Sequence, residues 1–367
     1  MKLSIQRETL LRPLQVVSSV VERRQTLPVL SNVLLNCRNN KLTLTGTDLE
    51  VEMIANANLD NDADEGETTL PARKILDICR ALPEEAMISL TTNGDKAIIR
   101  SGRSRFTLSC LPASDFPNIE PIVSPYEFSI SQSALKDLIE HTQFSMAQQD
   151  VRYYLNGLML EITNNALKAV ATDGHRLAIS ETPTDIEVSE KRQIIIPRKG
   201  VTELARLLED TESQIRILIG QNHISVAFQD ISFTSKLIDG KFPDYQQVIP
   251  SSPTKIVTCE RQDLYQAFAR ASVLSNEKYR GMRLQVSENL LKATVHNPEQ
   301  EEAEEEVEVQ YSGEEFEIGF NVAYFIDALA AIKTNAVQVH FIDANHSCLV
   351  NGVDDTASKY VIMPMRL

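Results

Sequence analysis

The stretch LKAVATDGHRLAI, residues 167–179, predicts the basic unit of this fold. Apolar residues alternate up to the TDG turn at 172–174, and a second strand-like segment, RLAI, follows at 176–179. Such segments on both sides of a glycine-containing turn are typical of two antiparallel strands joined as a hairpin. Because a histidine and an arginine follow the glycine, the same turn is also a candidate functional site.

The pattern occurs three times in the chain. Residues 41–53, KLTLTGTDLEVEM, align with the stretch and place Thr47-Asp48 on Thr172-Asp173, and residues 290–305 align again with Asn297 at the aspartate position. A first helix is predicted near residues 7, 132 and 261, and a second near 71, 198 and 321. Helices, strands and turn that all recur at one spacing predict a triplicated unit.

Each copy is predicted to have the order β-α-β-β-β-α-β-β-β. Proline-bearing segments at 119–127 and 249–256 separate the copies. The predicted domains are therefore 1–125, 126–253 and 254–367, called copy one, copy two and copy three below. The fold class is α+β, with two helices packed on antiparallel sheets in each domain.

Composition narrows the class of protein. The 367 residues are 43% apolar and 24% charged, which is typical of a globular chain. No run of eighteen apolar residues predicts a membrane span, and the start of the chain has no apolar signal segment. The five cysteines show no CxxC or zinc spacing, so free thiols in a reducing cytoplasm are expected.

The charge is unevenly distributed. A net charge of −15 taken alone argues against nucleic acid as a partner. The six predicted helices nevertheless hold fourteen Lys and Arg against nine Asp and Glu, so the rest of the chain is more acidic than the whole. Three like units could build a solenoid, a trimer-like enzyme or a segment of a ring. If the helices share one surface, that surface attracts phosphate while the others repel it.

Longer motifs identify a family. They are RRQTLP (23–28), GTDLE (46–50), PARK (71–74), SGRSRF (101–106), FSMAQQDVRYYLNG (144–157), ATDGHRLA (171–178), PRKG (197–200), FPDY (242–245), NPEQEEAEE (297–305) and VIMPMRL (361–367). With these motifs the whole chain resembles the bacterial DNA sliding clamp, the beta subunit of DNA polymerase III. The resemblance implies the DNA clamp fold, in which a head-to-tail dimer forms a six-domain ring with helices lining the hole.

The resemblance also implies a function and its partners. The function is that of a processivity factor, a closed ring that encircles duplex DNA and tethers the replicative polymerase without chemistry of its own. The implied partners are double-stranded DNA without sequence preference, a second copy of the chain, the DNA polymerase III catalytic subunit, the clamp loader, and other DNA polymerases and repair proteins that carry short peptide motifs. No cofactor, metal or membrane partner is expected.

By the same resemblance, the TDGHRL turn borders a hydrophobic peptide pocket. The residues implied are Leu155, Thr172, Gly174, His175, Arg176, Leu177, Pro243, Val248, Val361, Met363, Pro364, Met365 and Arg366. Met and Pro make an adaptable apolar wall for many peptides. An end as apolar as VIMPMRL independently predicts that the tail is packed, because it would otherwise be an exposed patch.

The resemblance implies a second set of residues that contact DNA. They are Arg24, Arg73, Lys74, Gln149, Tyr153, Tyr154, Arg198 and Lys199. The ordinary alternatives are solvated surface charge for the cations and core positions for the two tyrosines. The chain departs from the family pattern at Gln148, Gln246 and Gln247, where the pattern has histidine and arginines, so polar rim contacts are not carried over there.

A third implied set forms the seam of the dimer. One side of the seam is formed by Lys74, Arg103, Arg105, Phe106 and Leu108 of one subunit. The other side is formed by Val273, Leu274, Glu299, Glu302 and Glu305 of the second subunit. The segment RSRFTL alternates between Arg and apolar residues, as an edge strand that needs a partner does. Residues 299–308 hold seven glutamates, and opposite charges specify which strands pair.

Two other classes of function fit the sequence less well. An enzyme using His175 or Asp173 lacks a neighbouring serine or cysteine nucleophile, a paired acid, and any GxGxxG or Walker A loop. A repeat scaffold that binds no DNA gives no reason for basic residues to concentrate on the helices. The sequence therefore favours the non-catalytic clamp.

Overall fold

The chain is seen in a computed structural model that describes residues 1–22, 27–59, 63–117, 126–188 and 190–366. Arg24, one of the expected DNA contacts, lies outside these residues. Among the described helices, none combines the length and the apolar character needed to cross a membrane. The described residues form six α-helices and twenty-four strands, in an order that repeats three times.

Copy one sets the pattern. Strand β1 (Lys2–Gln6) leads directly into helix α1 (Arg7–Ser18). The strands that follow are β2 (Asn32–Arg38), β3 (Lys41–Thr47), β4 (Val51–Asn58) and β5 (Gly66–Pro71). The second helix and last strands are α2 (Ala72–Ala81), β6 (Met87–Asn93), β7 (Lys96–Ser101) and β8 (Ser104–Ser109).

Copies two and three repeat that order. Copy two comprises β9 (Tyr126–Ser131), α3 (Gln132–Glu140), β10 (Gly157–Thr163), β11 (Ala166–Thr172), β12 (Arg176–Pro183), β13 (Arg192–Pro197), α4 (Arg198–Leu207), β14 (Gln214–Ile219), β15 (His223–Ala227) and β16 (Ile231–Lys236). Copy three comprises β17 (Lys255–Glu260), α5 (Arg261–Ser272), β18 (Gly281–Ser287), β19 (Leu290–His296), β20 (Glu302–Glu308), β21 (Phe316–Asn321), α6 (Val322–Ala331), β22 (Ala336–Phe341), β23 (Cys348–Gly352) and β24 (Ser358–Ile362).

The structure corrects the expected order in one respect. Four strands, not three, separate the two helices of each copy, because a short strand runs straight into the second helix. Pro71 ends β5 and Ala72 begins α2, and Pro197 and Arg198 do the same for β13 and α4. No loop separates strand from helix, so no loop segment in the sequence indicates where one ends and the other begins.

The second helices show why the repeat folds as it does. In α2, Ala72, Ile75, Leu76 and Cys79 are buried, which is the i, i+3, i+4, i+7 spacing of an amphipathic helix. The charged residues of α2 are exposed on its other side. Burial of one stripe attaches the helix to its sheets and leaves a charged face toward solvent.

The sheets join consecutive copies. The order β5-β2-β3-β4-β16-β15-β14-β9 forms one eight-stranded sheet, in which β4 of copy one pairs with β16 of copy two. The order β13-β10-β11-β12-β24-β23-β22-β17 forms the other, in which β12 of copy two pairs with β24 of copy three. In each case the third strand after a copy's first helix meets the last strand of the next copy.

Two sheets have only four strands. They are β1-β6-β7-β8 in copy one and β20-β19-β18-β21 in copy three. Strands β8 and β20 lie at their edges. Most of the glutamate-rich segment forms strand β20, with Val307 buried and the carboxylates mostly exposed.

The chain divides into two compact units. One comprises residues 1–133 and 199–237, and the other comprises residues 134–198 and 238–367. One buried cluster lies in the second unit, where Phe268, Phe320, Phe325 and Phe341 are almost fully buried between the helices and sheets of copy three. The domain boundaries at 125 and 253 stay a prediction.

Candidate functional site

The TDG turn is closed by its own side chains. Asp173 Oδ1 accepts hydrogen bonds from the backbone N–H groups of His175 (2.9 Å) and Arg176 (3.1 Å). The Thr172 hydroxyl donates to the carbonyl of Arg176 (2.6 Å) and accepts from the N–H of Gly174 (3.0 Å). Gly174 has φ of +89°, a region that side chains disfavour. Asp173 therefore stabilises the turn that presents His175 at the surface.

Arg176 packs inward, not into solvent. Its side chain is 13% exposed and forms ion pairs with Asp173 (3.0 Å) and with Asp327 of α6 (2.5 Å). The guanidinium also donates to the carbonyl of Phe144 at 2.7 Å and lies over the ring of Tyr324 at 4.6 Å from its centroid. Arg176 thus links copy two to copy three, and each of its three guanidinium nitrogens donates a hydrogen bond within the protein.

The expected pocket residues surround an apolar cluster of the second unit. Leu177 lies opposite Val361 in the pairing of β12 with β24, and both are buried. Val248 packs against the same cluster. The other buried members are Met159, Val170, Ile179, Ile195, Phe242 and Tyr245. Leu155 is also buried, while Pro243, beside Phe242, is exposed.

The chain end is held at two points. The N–H of Met363 donates to the carbonyl of His175 (2.9 Å), and that of Met365 donates to the carbonyl of Gly319 (2.8 Å). Met363, Pro364 and Met365 are half-buried, and the side chain of Arg366 is exposed. The tail thus runs beside the TDG turn.

Arg152 is a residue that the sequence reasoning missed. Its guanidinium binds Asp150 through two bonds of 3.0 and 2.9 Å and donates to the carbonyl of Asp173 at 3.2 Å. A Cβ atom on Gly174 would lie 2.9 Å from both terminal nitrogens of Arg152. The hydrogen bond from Arg152 lowers the pKa of Asp150 to about 2. The spacing Asp-x-Arg in a loop was the only available signal.

A buried carboxylate supports the cluster from below. Glu161 is buried and accepts from Lys191 (2.7 Å), from Gln193 (2.7 Å) and from the hydroxyl of Tyr245 (3.3 Å). Burial, with the charge of Glu161, raises the pKa of Tyr245 to about 12. The Tyr245 ring therefore stays neutral across the physiological range and its orientation is fixed by a charged acceptor.

The expected DNA contacts fall in both units. Arg73 and Lys74 are exposed at the start of α2, and Gln149 is exposed with φ of +56°. Tyr153 is 58% exposed, and Tyr154 packs edge-on against it with ring centroids 5.8 Å apart. Tyr154 also contacts the apolar cluster, so the two tyrosines differ in role. Arg198 is half-buried and donates to the carbonyl of Met146 at 3.0 Å.

Lys199 is already paired. Its ammonium group forms ion pairs with Asp48 (2.5 Å) and with Glu22. Burial alone would lower the pKa of Lys199, but hydrogen bonds to Asp48 and Glu22 outweigh it and raise the pKa above its ordinary value. Two carboxylates therefore neutralise this cation, which leaves Arg73 and Lys74 as the more available of the described DNA-contact candidates in the first unit.

The expected seam residues lie on edge elements. Arg105 and Phe106 are on edge strand β8, where Arg105 is exposed and Phe106 half-buried, and Leu108 on the same strand is buried. Within the described ranges neither Arg103 nor Arg105 forms an ion pair. In the second unit, Val273 is 78% exposed. Leu274 packs partly against the core of copy three.

The acidic seam residues differ among themselves. Glu299 and Glu302 are exposed, and Glu302 lies 3.8 Å from His296. Glu305 accepts two bonds from Arg270 (2.9 and 2.6 Å), and these bonds lower the pKa of Glu305. In the residues that the structure describes, no three His, Cys, Asp or Glu side chains are grouped to hold a metal ion.

Comparison with known proteins identifies the family. Residues 1–120, 129–244 and 246–366 match the N-terminal, central and C-terminal domains of the DNA polymerase III beta subunit. The chain belongs to the DNA polymerase III beta subunit family. The beta sliding clamp of Pseudomonas aeruginosa is 54% identical over 367 residues, with all of both chains covered.

Solved structures of sliding clamps are similar throughout. DNA polymerase III subunit beta from Pseudomonas aeruginosa matches with a TM-score of 0.98 at 53% identity, covering 100% of both chains. A sliding clamp of the same organism bound to griselimycin matches with a TM-score of 0.97 at 54% identity, again covering 100% of both chains.

The family and function expected from the motifs are confirmed. The chain is a sliding clamp, a processivity subunit of DNA replication without catalytic activity, and its α+β clamp fold is confirmed as well. Neither the enzyme based on His175 nor the scaffold without DNA is favoured. DNA and DNA polymerase III are the partners that membership of this family implies.

Proposed function

We propose that two copies of this clamp close head to tail into a ring of six domains, at 1–125, 126–253 and 254–367 of each copy. The ring encircles duplex DNA in the cytoplasm. Its peptide pocket recruits the polymerase catalytic subunit, the clamp loader, and other DNA polymerases and repair proteins. The observation that supports the ring is that two of the sheets have four strands, whereas the two sheets that join consecutive copies have eight.

The sheets support the dimer through their repeat. Each internal join builds an eight-stranded sheet from four strands of one copy and four of the next. Strand β20 occupies in copy three the position of β4 and β12, and β8 occupies in copy one the position of β16 and β24. Pairing β20 of one subunit with β8 of another would make a third sheet of the same kind. A second such pairing closes the ring.

The internal joins also suggest a register for the pairing of β20 with β8. Met53 lies opposite Phe233 in the first join, and Ala178 lies opposite Tyr360 in the second. Because the repeat aligns Ala303 with the first member of each pair and Phe106 with the aromatic member, Phe106 is expected opposite Ala303.

The same register brings the charged residues of the two edges together. Arg105 then lies opposite Glu304, with Glu302 diagonal to it on the same face of the sheet. Opposite charges at such positions stabilise a strand pair and exclude pairing of β20 with itself.

The pocket proposal rests on the cluster beside the TDG turn. His175 and the tail from Met363 to Met365 border apolar side chains that the protein's own fold only partly covers. A partner segment with two or three large apolar side chains would bury itself there, and such anchors carry most of the affinity of a small interface. Arg152 adds a planar cation at the rim, above Gly174.

The DNA proposal assigns attraction to the helices. Contacts to phosphate and to exposed bases come from two cations on α2, Arg73 and Lys74. Further contacts come from Arg24, Gln149, Tyr153, Tyr154 and Arg198. Lys199 contributes less, because two carboxylates hold it. Closure of the ring retains DNA by topology, so weak and sequence-independent contacts suffice and sliding stays possible.

The decisive experiment compares retention on two DNA forms. Protein loaded by its clamp loader onto nicked circular plasmid is expected to remain bound through gel filtration. Linearising the plasmid should release it within the same time. Equal retention on both forms would contradict encirclement, and a sequence-dependent footprint would contradict sequence-independent sliding.

A further inference from the structure

A half-buried cation lies between two carboxylates at the first internal join. Lys199, near the start of α4 in copy two, pairs with Asp48 at 2.5 Å and with Glu22. Asp48 is the aspartate of the copy-one turn, and its side chain is only 5% exposed. The turn of one copy is therefore linked to the second helix of the next by a shared charge.

The second internal join also has a cation between two carboxylates. Here the cation belongs to the turn segment and not to the second helix. Arg176 stands beside Asp173, the turn aspartate of copy two, and bridges it to Asp327 on α6 of copy three. The turn and the second helix of the next copy are again held by one cation between two carboxylates. Removing one member of such a partly buried group leaves the remaining charge uncompensated.

The third join, between subunits, has different residues at these positions. The turn aspartate of copies one and two is Asn297 in copy three. Counting from the starts of α1 and α5, the position of Glu22 is occupied by Asn276. Counting from Pro71 and Pro197, the position of Lys199 is occupied by Arg73. The cation of the first join is retained and amides stand where its two carboxylates stood, while Asp77 on α2 stands at the position of Asp327 on α6.

Asn297 keeps the geometry of the turn but not its charge. Its Oδ1 accepts from the N–H of Glu301 at 2.8 Å, as Asp48 Oδ1 accepts from the N–H of Val51 at 2.7 Å. Its Nδ2 donates to the Glu301 carboxylate at 2.6 Å. The amide therefore folds the turn as an aspartate does, yet it offers a guanidinium only a neutral acceptor, which makes a weaker bond than a carboxylate.

We propose that the seam between subunits lacks the turn carboxylate that both internal joins have. Arg73 of one subunit faces Asn297 of the other, and the missing carboxylate makes this the join that opens. The inference rests on the proposed dimer. The seam retains exposed Arg–Glu pairs, which salt screens, whereas both internal joins keep an inward ion group.

A charge-neutral double variant tests the proposal. Asn297→Asp alone would set a carboxylate against Glu301, so it is combined with Glu301→Gln, whose amide can donate to the new aspartate. The net charge is unchanged. Subunit exchange between 15N-labelled and unlabelled dimers is followed by native mass spectrometry. The double variant is expected to exchange at least tenfold more slowly than wild type.

Three controls separate the causes. Glu301→Gln alone should exchange no more slowly than wild type. Adding Arg73→Ala to the double variant should remove the gain. Asn289→Asp makes the same chemical change in the exposed turn between β18 and β19, at the far end of β19 from Asn297, and should leave the exchange rate within twofold of wild type.

Each outcome is decisive. A wild-type protein that is monomeric at micromolar concentration overturns both the dimer and this inference. A dimeric wild type with a double variant that exchanges as fast as wild type overturns the inference and leaves the dimer standing. Slower exchange that persists after Arg73→Ala is added, or that Asn289→Asp alone also produces, overturns the inference as well. Thermal unfolding of each variant excludes misfolding as the cause of faster exchange.

Discussion

Truncation of Val273 is a sharp test of the proposed seam. This residue follows α5 directly, and 78% of it is exposed in the single chain. Val273→Ala therefore removes almost no contact within the subunit, and surface changes of this kind alter stability by about 0.5 kcal/mol or less. In the proposed dimer the same side chain is buried against Phe106 and Leu108 of the other subunit.

The expected loss follows from the symmetry of the ring. Val273→Ala removes two methyl groups, each worth about 0.8 kcal/mol when buried. A head-to-tail dimer has two seams, so dissociation loses the contribution twice, about 3 kcal/mol in all. Since about 1.4 kcal/mol is a factor of ten, the dissociation constant should rise on the order of 200-fold. Any cavity left at the seam adds to this figure.

The assay is sedimentation across a dilution series, with Val151→Ala as the matched control. Val151 is 95% exposed in the loop before Tyr153, and its truncation removes the same two methyl groups outside the proposed seam. Both variants should unfold at the wild-type temperature when monomeric. A Val273→Ala dimer as tight as wild type would refute the seam, and equal weakening by Val151→Ala would refute its location.

Three further predictions follow from the other sites. Deleting residues 363–367 should weaken binding of a partner peptide at least tenfold by fluorescence anisotropy while the dimer persists; unchanged affinity would exclude the tail as a pocket wall. Arg24→Ala with Gln149→Ala should lower DNA binding and its salt dependence with the dimer intact, and binding that is unaltered would remove both from the hole. Because the folded pKa of Tyr245 is raised to about 12, the contribution of Tyr245 to stability is intact below about pH 10, its usual pKa, and is lost as the pH rises toward 12. Tyr245→Phe should reduce the loss of stability over this range in urea unfolding, and an equal loss in the variant would rule out a contribution from Tyr245.

Much of the fold could be predicted because the repeat multiplies weak signals. A single apolar i, i+4 pair does not define a helix, but Leu10 with Leu14, Leu135 with Ile139, and Leu264 with Phe268 recur at matching positions. All three helices form where expected. The strand before each second helix was missed for the opposite reason. It has no turn residue of its own, and repetition cannot add a signal that is absent from every copy.

Side-chain direction could not be predicted. The family resemblance implies Arg176 at the pocket, and no local pattern indicates that its guanidinium reaches Asp327, 151 residues further along the chain. Lys199 likewise finds Glu22, 177 residues away. Both partners are brought near by the packing of one copy on the next. Local spacing carries no information on such contacts, so the sequence indicates a position without its role.

The placement of charge explains how an acidic clamp is compatible with DNA. The family motif PRKG suggests two cations for DNA at the start of α4, but Lys199 is paired with two carboxylates and Arg198 bonds a carbonyl. At the matching start of α2, Arg73 and Lys74 remain exposed. A ring that holds DNA by closure needs only enough cationic charge to keep the duplex near its helices, since each added phosphate contact strengthens binding and slows sliding. At the start of α4, Lys199 links copy two to copy one, whereas at the start of α2 both cations are exposed in the single chain, so the same repeated helix start serves two roles.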